Sequence, residues 1–381
     1  MAQVRKALFL FPAFLLVSTI PVFPQEPLIS RVVLSEKEID LAREEQATIQ
    51  FELLEVASVG VKIFDESNRL IREIPSDEKL RPGTHSIAWD GRDEKGEQVV
   101  SGVYLYVLEA SGQTQYVHDL RATTGGEEVF VEKLAWDIPG SKITYLLPKA
   151  CYVRIRIGLK EGVFLGTLAD WTPYEAGEKE TAWDGLDPSG HFNLSDQAEA
   201  QINISAFALP DNSVIVRSTV EESSLRGQHP KDGPKQSRTV IASSPLRTRR
   251  SEGRLQYIHA AHPRPLCHEP RFEVEFPSSK LSPSVGEDKG DGGAGAPVLK
   301  GKVPIRITLD PKDKDYLVAN RFEVMFFMDS VFLFEQEEAT SPLTFYLDTA
   351  KLGKGVHRLT INVMDYEDHI GVQTLKVQVE P

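Results

Sequence analysis

Three histidines and one cysteine fall within ten residues, His259, His262, Cys267 and His268, in a chain of 381 residues that holds nine histidines and two cysteines in all. Imidazole nitrogen and thiolate sulfur are borderline-soft donors that suit zinc or copper. The spacing fits no zinc finger, because Cys-x-x-Cys is absent. Cys267-His268 is half of the Cys-x-x-Cys-His haem attachment signature, with the first cysteine missing. Pro263 and Pro265 favour an extended backbone, which either wraps a transition metal or lies along a neighbouring domain as an ordered strap. The strap is the expected form, spanning 255–277 and continuing into strand-like Phe272-Glu273-Val274-Glu275-Phe276. On that reading no cofactor is bound. The second cysteine, Cys151, could bridge to Cys267 in an oxidising compartment, provided their Cα atoms come within roughly 4.4–6.8 Å.

Other chemistry finds no foothold. The chain has no Gly-x-Ser-x-Gly elbow, no His-Glu-x-x-His and no phosphate-binding glycine loop. With 43 basic against 56 acidic residues the net charge is −13, which argues against a surface built to displace counterions from nucleic acid. Two cysteines exclude a disulfide-dense scaffold and a four-cysteine zinc site. An apolar content of 41% is enough for sizeable cores.

The elements that would position any site are strands. Apolar and polar residues alternate through Thr48–Leu53, Val59–Phe64, Val103–Leu108, Tyr152–Ile157 and Arg358–Val363. Amphipathic helices are scarce, and the best candidate is Glu36–Glu45. Many short strands separated by turn residues indicate an all-β chain of sandwiches. A shift of 94 residues superimposes Ile49, Phe51 and Leu53 on Ile143, Tyr145 and Leu147, and Val59, Val61 and Ile63 on Val153, Ile155 and Ile157. The same shift carries Trp89, Asp90, Gly91, Asp93 and Gly96 onto Trp183, Asp184, Gly185, Asp187 and Gly190. One offset serving three elements implies a duplicated domain, at 27–120 and 127–220. Cys151 follows a strand entry whose first-copy counterpart is Ala57, so it is equally readable as a small core residue.

The repeated Asp-Gly-x-Asp-x-x-Gly is expected to be a structural turn, with aspartates holding backbone amides and glycines at positive φ. Calcium is the functional alternative, but it wants six to eight oxygens and the motif lacks that ligand density.

Val61-Lys62-Ile63-Phe64-Asp65, Pro82-Gly83-Thr84-His85, Trp89-Asp90-Gly91-Arg92-Asp93 and Gly102-Val103-Tyr104 together resemble the FlgD Ig-like family. The resemblance covers about 46–110. It is weaker in the second copy, which lacks Gly-Val-Tyr. It implies a small β-sandwich of bacterial secreted proteins, and no flagellar role. A third sandwich is expected at 297–381, where Asp348-Thr349, Gly355-Val356-His357-Arg358-Leu359 and Asp365 resemble bacterial Ig-like modules that serve as stalks, spacers or adhesive units. Three Ig-like sandwiches in tandem result, with 221–296 as a polar linker leaving the third free to move. Within that linker, Arg247, Arg249 and Arg250 form a basic run, read as a solvated stretch.

Residues 1–25 read as a secretory signal peptide. Arg5 and Lys6 precede an apolar run, Ala7–Ile20, that falls short of the about 20 residues a membrane span needs. The chain is therefore expected in the periplasm or outside the cell. The function expected is non-enzymatic: a structural, adhesive or assembly module engaging a protein or surface partner. A metal- or haem-associated accessory role is the alternative. A weaker one is carbohydrate binding, for which Trp171 and Tyr174 are the only aromatic hint.

Overall fold

The computed structural model describes residues 28–75, 78–113, 115–160, 162–220, 269–277, 280–281, 296–366 and 369–380. The expected leader at 1–25, the basic run at 247–250 and the cluster His259, His262, Cys267 and His268 lie outside the described residues.

The fold is nearly all β, and three principal hydrophobic cores define three lobes. In the first, strands run β1 (Ile29–Leu34), β2 (Glu38–Asp40), β3 (Ala47–Leu53), β4 (Ser58–Asp65), β5 (Leu70–Ile74), β6 (Gly83–Trp89), β7 (Gly102–Ser111) and β8 (Gln115–His118). Alternation decides which way they face. Ala47, Ile49, Phe51 and Leu53 of β3 point into the core, as do Val59, Val61 and Ile63 of β4, while their neighbours face outward. One sheet is ordered β1-β3-β6. The Glu36–Glu45 segment is not the helix its periodicity suggests. Glu38–Asp40 is a strand, and only Leu41–Arg43 closes a single 3₁₀ turn, with Asp40 accepting from the Ala42 amide at 2.9 Å. Burial of Ile39 and Leu41 between strands outweighs local helix preference.

The second lobe contains β9 (Glu132–Asp137), β10 (Lys142–Leu147), β11 (Cys151–Leu159), β12 (Phe164–Tyr174), β13 (Gly177–Ala182) and β14 (Ala200–Ala208). Its two sheets are ordered β13-β10-β9 and β12-β11-β14. The next strand, β15 (Ser213–Arg217), which the 94-residue shift assigns to this copy, returns to the first lobe. There it pairs antiparallel with β7 and parallel with β2, completing a sheet ordered β2-β15-β7-β4-β5. The two lobes are thus not consecutive beads: β9 to β14 of the second lie in the chain between β8 and β15 of the first. Val214 and Val216 of β15 fill the first core. On the other face, Ile215 packs with Val103, Leu105, Ala150 and Leu209 in a small core shared by both lobes.

The third lobe comprises β16 (Phe272–Glu275), β17 (Lys280–Leu281), β18 (Pro297–Lys300), β19 (Lys302–Leu309), α1 (Pro311–Asn320), β20 (Phe322–Met328), β21 (Val331–Gln336), β22 (Leu343–Asp348), β23 (Gly355–Asp365) and β24 (Ile370–Glu380). Its sheets are ordered β16-β19-β22 and β17-β18-β24-β23-β20-β21. The lobe begins before residue 297, because β16, placed by sequence in the strap, pairs along β19 from Phe272 opposite Leu309. Helix α1 starts where Asp310 caps the Lys312 amide at 2.8 Å and Pro311 takes the first turn. It buries Leu317 and also Asp313, whose carboxylate meets Arg271 at 3.1 Å.

Candidate functional site

Both repeated turns spend their polar atoms on themselves. Trp89 donates its indole N–H to the Arg92 carbonyl at 2.9 Å, and Trp183 donates to Leu186 at 2.7 Å. Asp90 accepts from the Arg92 amide and Asp184 from the Leu186 amide. Asp93 Oδ1 accepts from the Lys95 and Glu97 amides, both at 2.9 Å. Asp187 Oδ1 accepts from His191 and Phe192, and Oδ2 from Ser189. Gly91, Gly96, Gly185 and Gly190 all have positive φ, between 69° and 88°. At Gly91 a Cβ would also overlap Leu41 Cδ2, so the turn packs down on the 3₁₀ segment. Carboxylates engaged with backbone amides are poor calcium ligands, and no group of three His, Cys, Asp or Glu among the described residues could hold a metal.

The turns differ by one residue. The Asp93 amide donates to Glu97, whereas the equivalent Asp187 amide donates to Phe192, one position further on. The extra residue is His191. It touches the third lobe: its Nδ1 lies 3.2 Å from the Thr374 carbonyl, and its own carbonyl accepts from Arg358.

Around that contact the second and third lobes are clasped. Asn362, fully buried on β23, donates Nδ2 to the Phe164 carbonyl at 2.9 Å and accepts from the Phe164 amide at 3.3 Å. Its amide group thus acts as one residue of strand for the edge of β12. Phe327 of β20 inserts into the second lobe's core. The third lobe is therefore docked, contrary to the expectation of independent motion; one buried side chain supplies both backbone partners that an edge strand lacks. Pro270, at the end of the strap, lies so close to Gly371 of β24 that a Cβ there would overlap the Pro270 carbonyl. Beside it, burial pushes the Glu269 carboxyl up in pKa, opposed by its hydrogen bond with Thr167.

A cleft of about 500 Å³ opens at this junction, lined by Lys160, Phe192, Gln197, Glu199, Asp329 and Arg358 among others. Asp329 sits in the hairpin turn between β20 and β21 and accepts the Arg358 amide at 2.8 Å. Its other oxygen is 2.5 Å from His357 Nδ1, while His357 Nε2 is 2.7 Å from the Gly353 carbonyl. Both ring nitrogens face acceptors, so both can donate only when the imidazole is protonated. Burial lowers the His357 pKa, but its bonds with Asp329 and Gly353 outweigh that, and the net shift is upward. His191, Asn362 and Asp329 were not singled out by sequence, and Arg358 entered only as part of the strand entry that resembles an Ig-like module; the signal at His191 is the one-residue slip after Gly190.

Cys151 is fully buried as a free thiol, donating to the Lys149 carbonyl at 3.2 Å, and desolvation pushes its pKa up to about 12. Its suggested disulfide partner, Cys267, is outside the described residues. Trp171 offers no open platform for a sugar: it is 7% exposed, with Arg154 over its ring and Phe207 against it. Tyr174 is half-buried under Arg217. No helix among the described residues is long and apolar enough to cross a membrane.

The FlgD Ig-like domain family matches residues 37–114, within the first lobe. No curated protein sequence matches the chain. Among solved structures, it is similar to an endo-β-1,4-mannanase from Thermotoga petrophila at 14% identity and a TM-score of 0.21, over 32% of this chain and 22% of that one. It is similar to FlgD from P. aeruginosa at 17% identity and a TM-score of 0.21, over 39% of this chain and 97% of that one. A bacterial ice-binding adhesin of 1.5 MDa gives 11% identity and a TM-score of 0.18, over 94% and 99% of the two chains. The chain thus spans only 22% of the mannanase.

Proposed function

We propose that this chain is an exported, non-catalytic assembly or adhesive module of a bacterial cell envelope, acting through protein or surface contacts. The first lobe is the FlgD-type sandwich, the second a diverged copy of it, and the third a bacterial Ig-like module. The observation that carries this reading is where the polar groups of its distinctive residues go. The repeated turns and Asn362 spend theirs on holding backbone, and none converges on a reacting atom. The lobes are joined by a crossed strand and a buried amide, which suits a body that transmits position or force.

Fractionation of cells producing the full chain tests it. The expected result is a mature form shortened by about 25 residues, recovered with the envelope or medium, that binds whole cells and turns over neither glycan nor peptide substrates. Recovery of the uncleaved chain in the cytoplasm, or steady turnover of any such substrate, would overturn it.

A further inference from the structure

In the first lobe the outer edge of β7 is filled along its length. β15 pairs with Gly102–Leu105, Asn212 exchanges hydrogen bonds with Tyr106, and β8 pairs with Leu108–Ser111. β14 is the corresponding strand of the second lobe. Each pairs with an equivalent earlier strand, β7 with β4 and β14 with β11, so that Ala110, opposite Val59, matches Ala206, opposite Val153. By that match Tyr106 and Leu108 correspond to Ile202 and Ile204.

Among the described residues the outer edge of β14 is filled at one end only. The Glu127 carbonyl accepts from Ala208, and Val129 donates to Ala206. Strand alternation then turns the N–H and C=O groups of Ile202 and Ile204 to the same side, and among the described residues they have no hydrogen-bond partner. The side chains report the same vacancy. Tyr106 and Leu108 are 3% and 0% exposed, whereas Ile202 and Ile204 are only half-buried against their core. The strand that would complete this sheet is β15, which the first lobe has taken.

We infer that this edge is a self-association site, where β14 of a second copy pairs antiparallel with β14 about a two-fold axis at Asn203. The choice of a second copy rests on charge. Exposed sheet edges are normally guarded by charged residues or proline. Among the described strands at the ends of sheets, β14 alone has no titratable side chain and no proline: Ala-Gln-Ile-Asn-Ile-Ser-Ala-Phe-Ala. The other edges carry residues such as Arg31, His85, Lys133, Glu180 and Glu335. In a chain of net charge −13, an uncharged strand is where two copies can meet without like charges opposed.

Pairing Ile202 with Ile204 of the other copy, and the reverse, would satisfy the open amides and carbonyls on both sides. Gln201 would then lie opposite Ser205, and Asn203 opposite Asn203, on the solvent face. The inference deepens the assembly reading by naming one partner. Its test is a mass measurement, so it fails separately from export or surface binding.

The test is sedimentation equilibrium of the full mature chain at micromolar to sub-millimolar concentration. The expected result is a reversible dimer that tightens with added salt, as repulsion between the acidic bodies is screened. Asn203→Lys, which sets two ammonium groups face to face, should weaken it at least tenfold. Asn203→Cys, with Cys267→Ser, should cross-link to a covalent dimer under mild oxidation, because facing residues at such a site are about 4.5 Å apart between Cα atoms. Leu134→Cys on the β9 edge is the control and should give no covalent dimer. A chain that remains monomeric throughout, a dimer that Asn203→Lys leaves unchanged, or cross-linking no better at 203 than at 134 would each overturn the inference.

Discussion

Replacing Asn362 with alanine should uncouple the third lobe from the second. Asn362 is wholly buried, and its two hydrogen bonds, at 2.9 and 3.3 Å, are the backbone partners of Phe164. Each bond is worth about 1 kcal/mol net, and leaving a buried donor or acceptor unmet costs about 1–3 kcal/mol. Phe164 is half-buried, so water can repair part of that loss, and about 2–3 kcal/mol in all is expected. For a lobe of roughly 100 residues this is a midpoint shift of about 10 °C. All four tryptophans, Trp89, Trp136, Trp171 and Trp183, lie in the first two lobes, so tryptophan fluorescence follows those lobes while far-UV circular dichroism follows all three. In the parent chain the two signals should melt together. In Asn362→Ala the dichroism should gain an earlier phase that fluorescence does not see. Asn320→Ala is the control, since that amide bonds only the Tyr316 carbonyl within α1. Superimposed traces with unmoved midpoints in Asn362→Ala would refute the clasp.

The two glycines of the first turn should separate on thermal melting. Gly96→Ala meets open space and should cost only the positive-φ strain of about 1 kcal/mol, whereas Gly91→Ala also overlaps Leu41 and should cost about 2–4 kcal/mol. The stability that His357 contributes to the third lobe should be full below its ordinary pKa of about 6.5 and fade as pH rises through its raised folded value. The loss of stability from pH 6 to pH 9 should therefore shrink in His357→Gln, and an equal loss in both proteins would remove His357 from the account. Native thiol titration should leave Cys151 unreactive until the chain is unfolded, its pKa near 12 keeping it protonated. Metal analysis on the same tag-free sample decides the cluster: one tightly held transition metal per chain, lost on changing His262 and His268, would establish it as a site.

How much of this was legible in the sequence differs from feature to feature for physical reasons. The repeated turns were readable because their work is local. Asp93 reaches amides two and four residues away, and Gly91 and Gly96 must take a φ that other residues resist. The docking of the lobes was not readable, because Asn362 and Phe164 are 198 residues apart and neither belongs to a motif. An asparagine amid apolar neighbours on β23 marks a buried polar group that needs partners, but not which ones.

The strand exchange is the sharper case. Ser213–Arg217 satisfies the same alternation in either sheet, since Val214 and Val216 need only an apolar face to cover. The residue before it adds a hold on the first lobe that the alternation does not show. Asn212 is fully buried and donates to the Tyr106 carbonyl at 2.7 Å while its own carbonyl accepts from the Tyr106 amide, pinning the register before the strand begins. An aliphatic residue there would keep the hydrophobic pattern and the main-chain bond from Tyr106 but lose the side-chain bond to its carbonyl. Among the described residues the edge of β14 at Ile202 and Ile204 is left open, because the strand that follows it in the chain pairs in the first lobe.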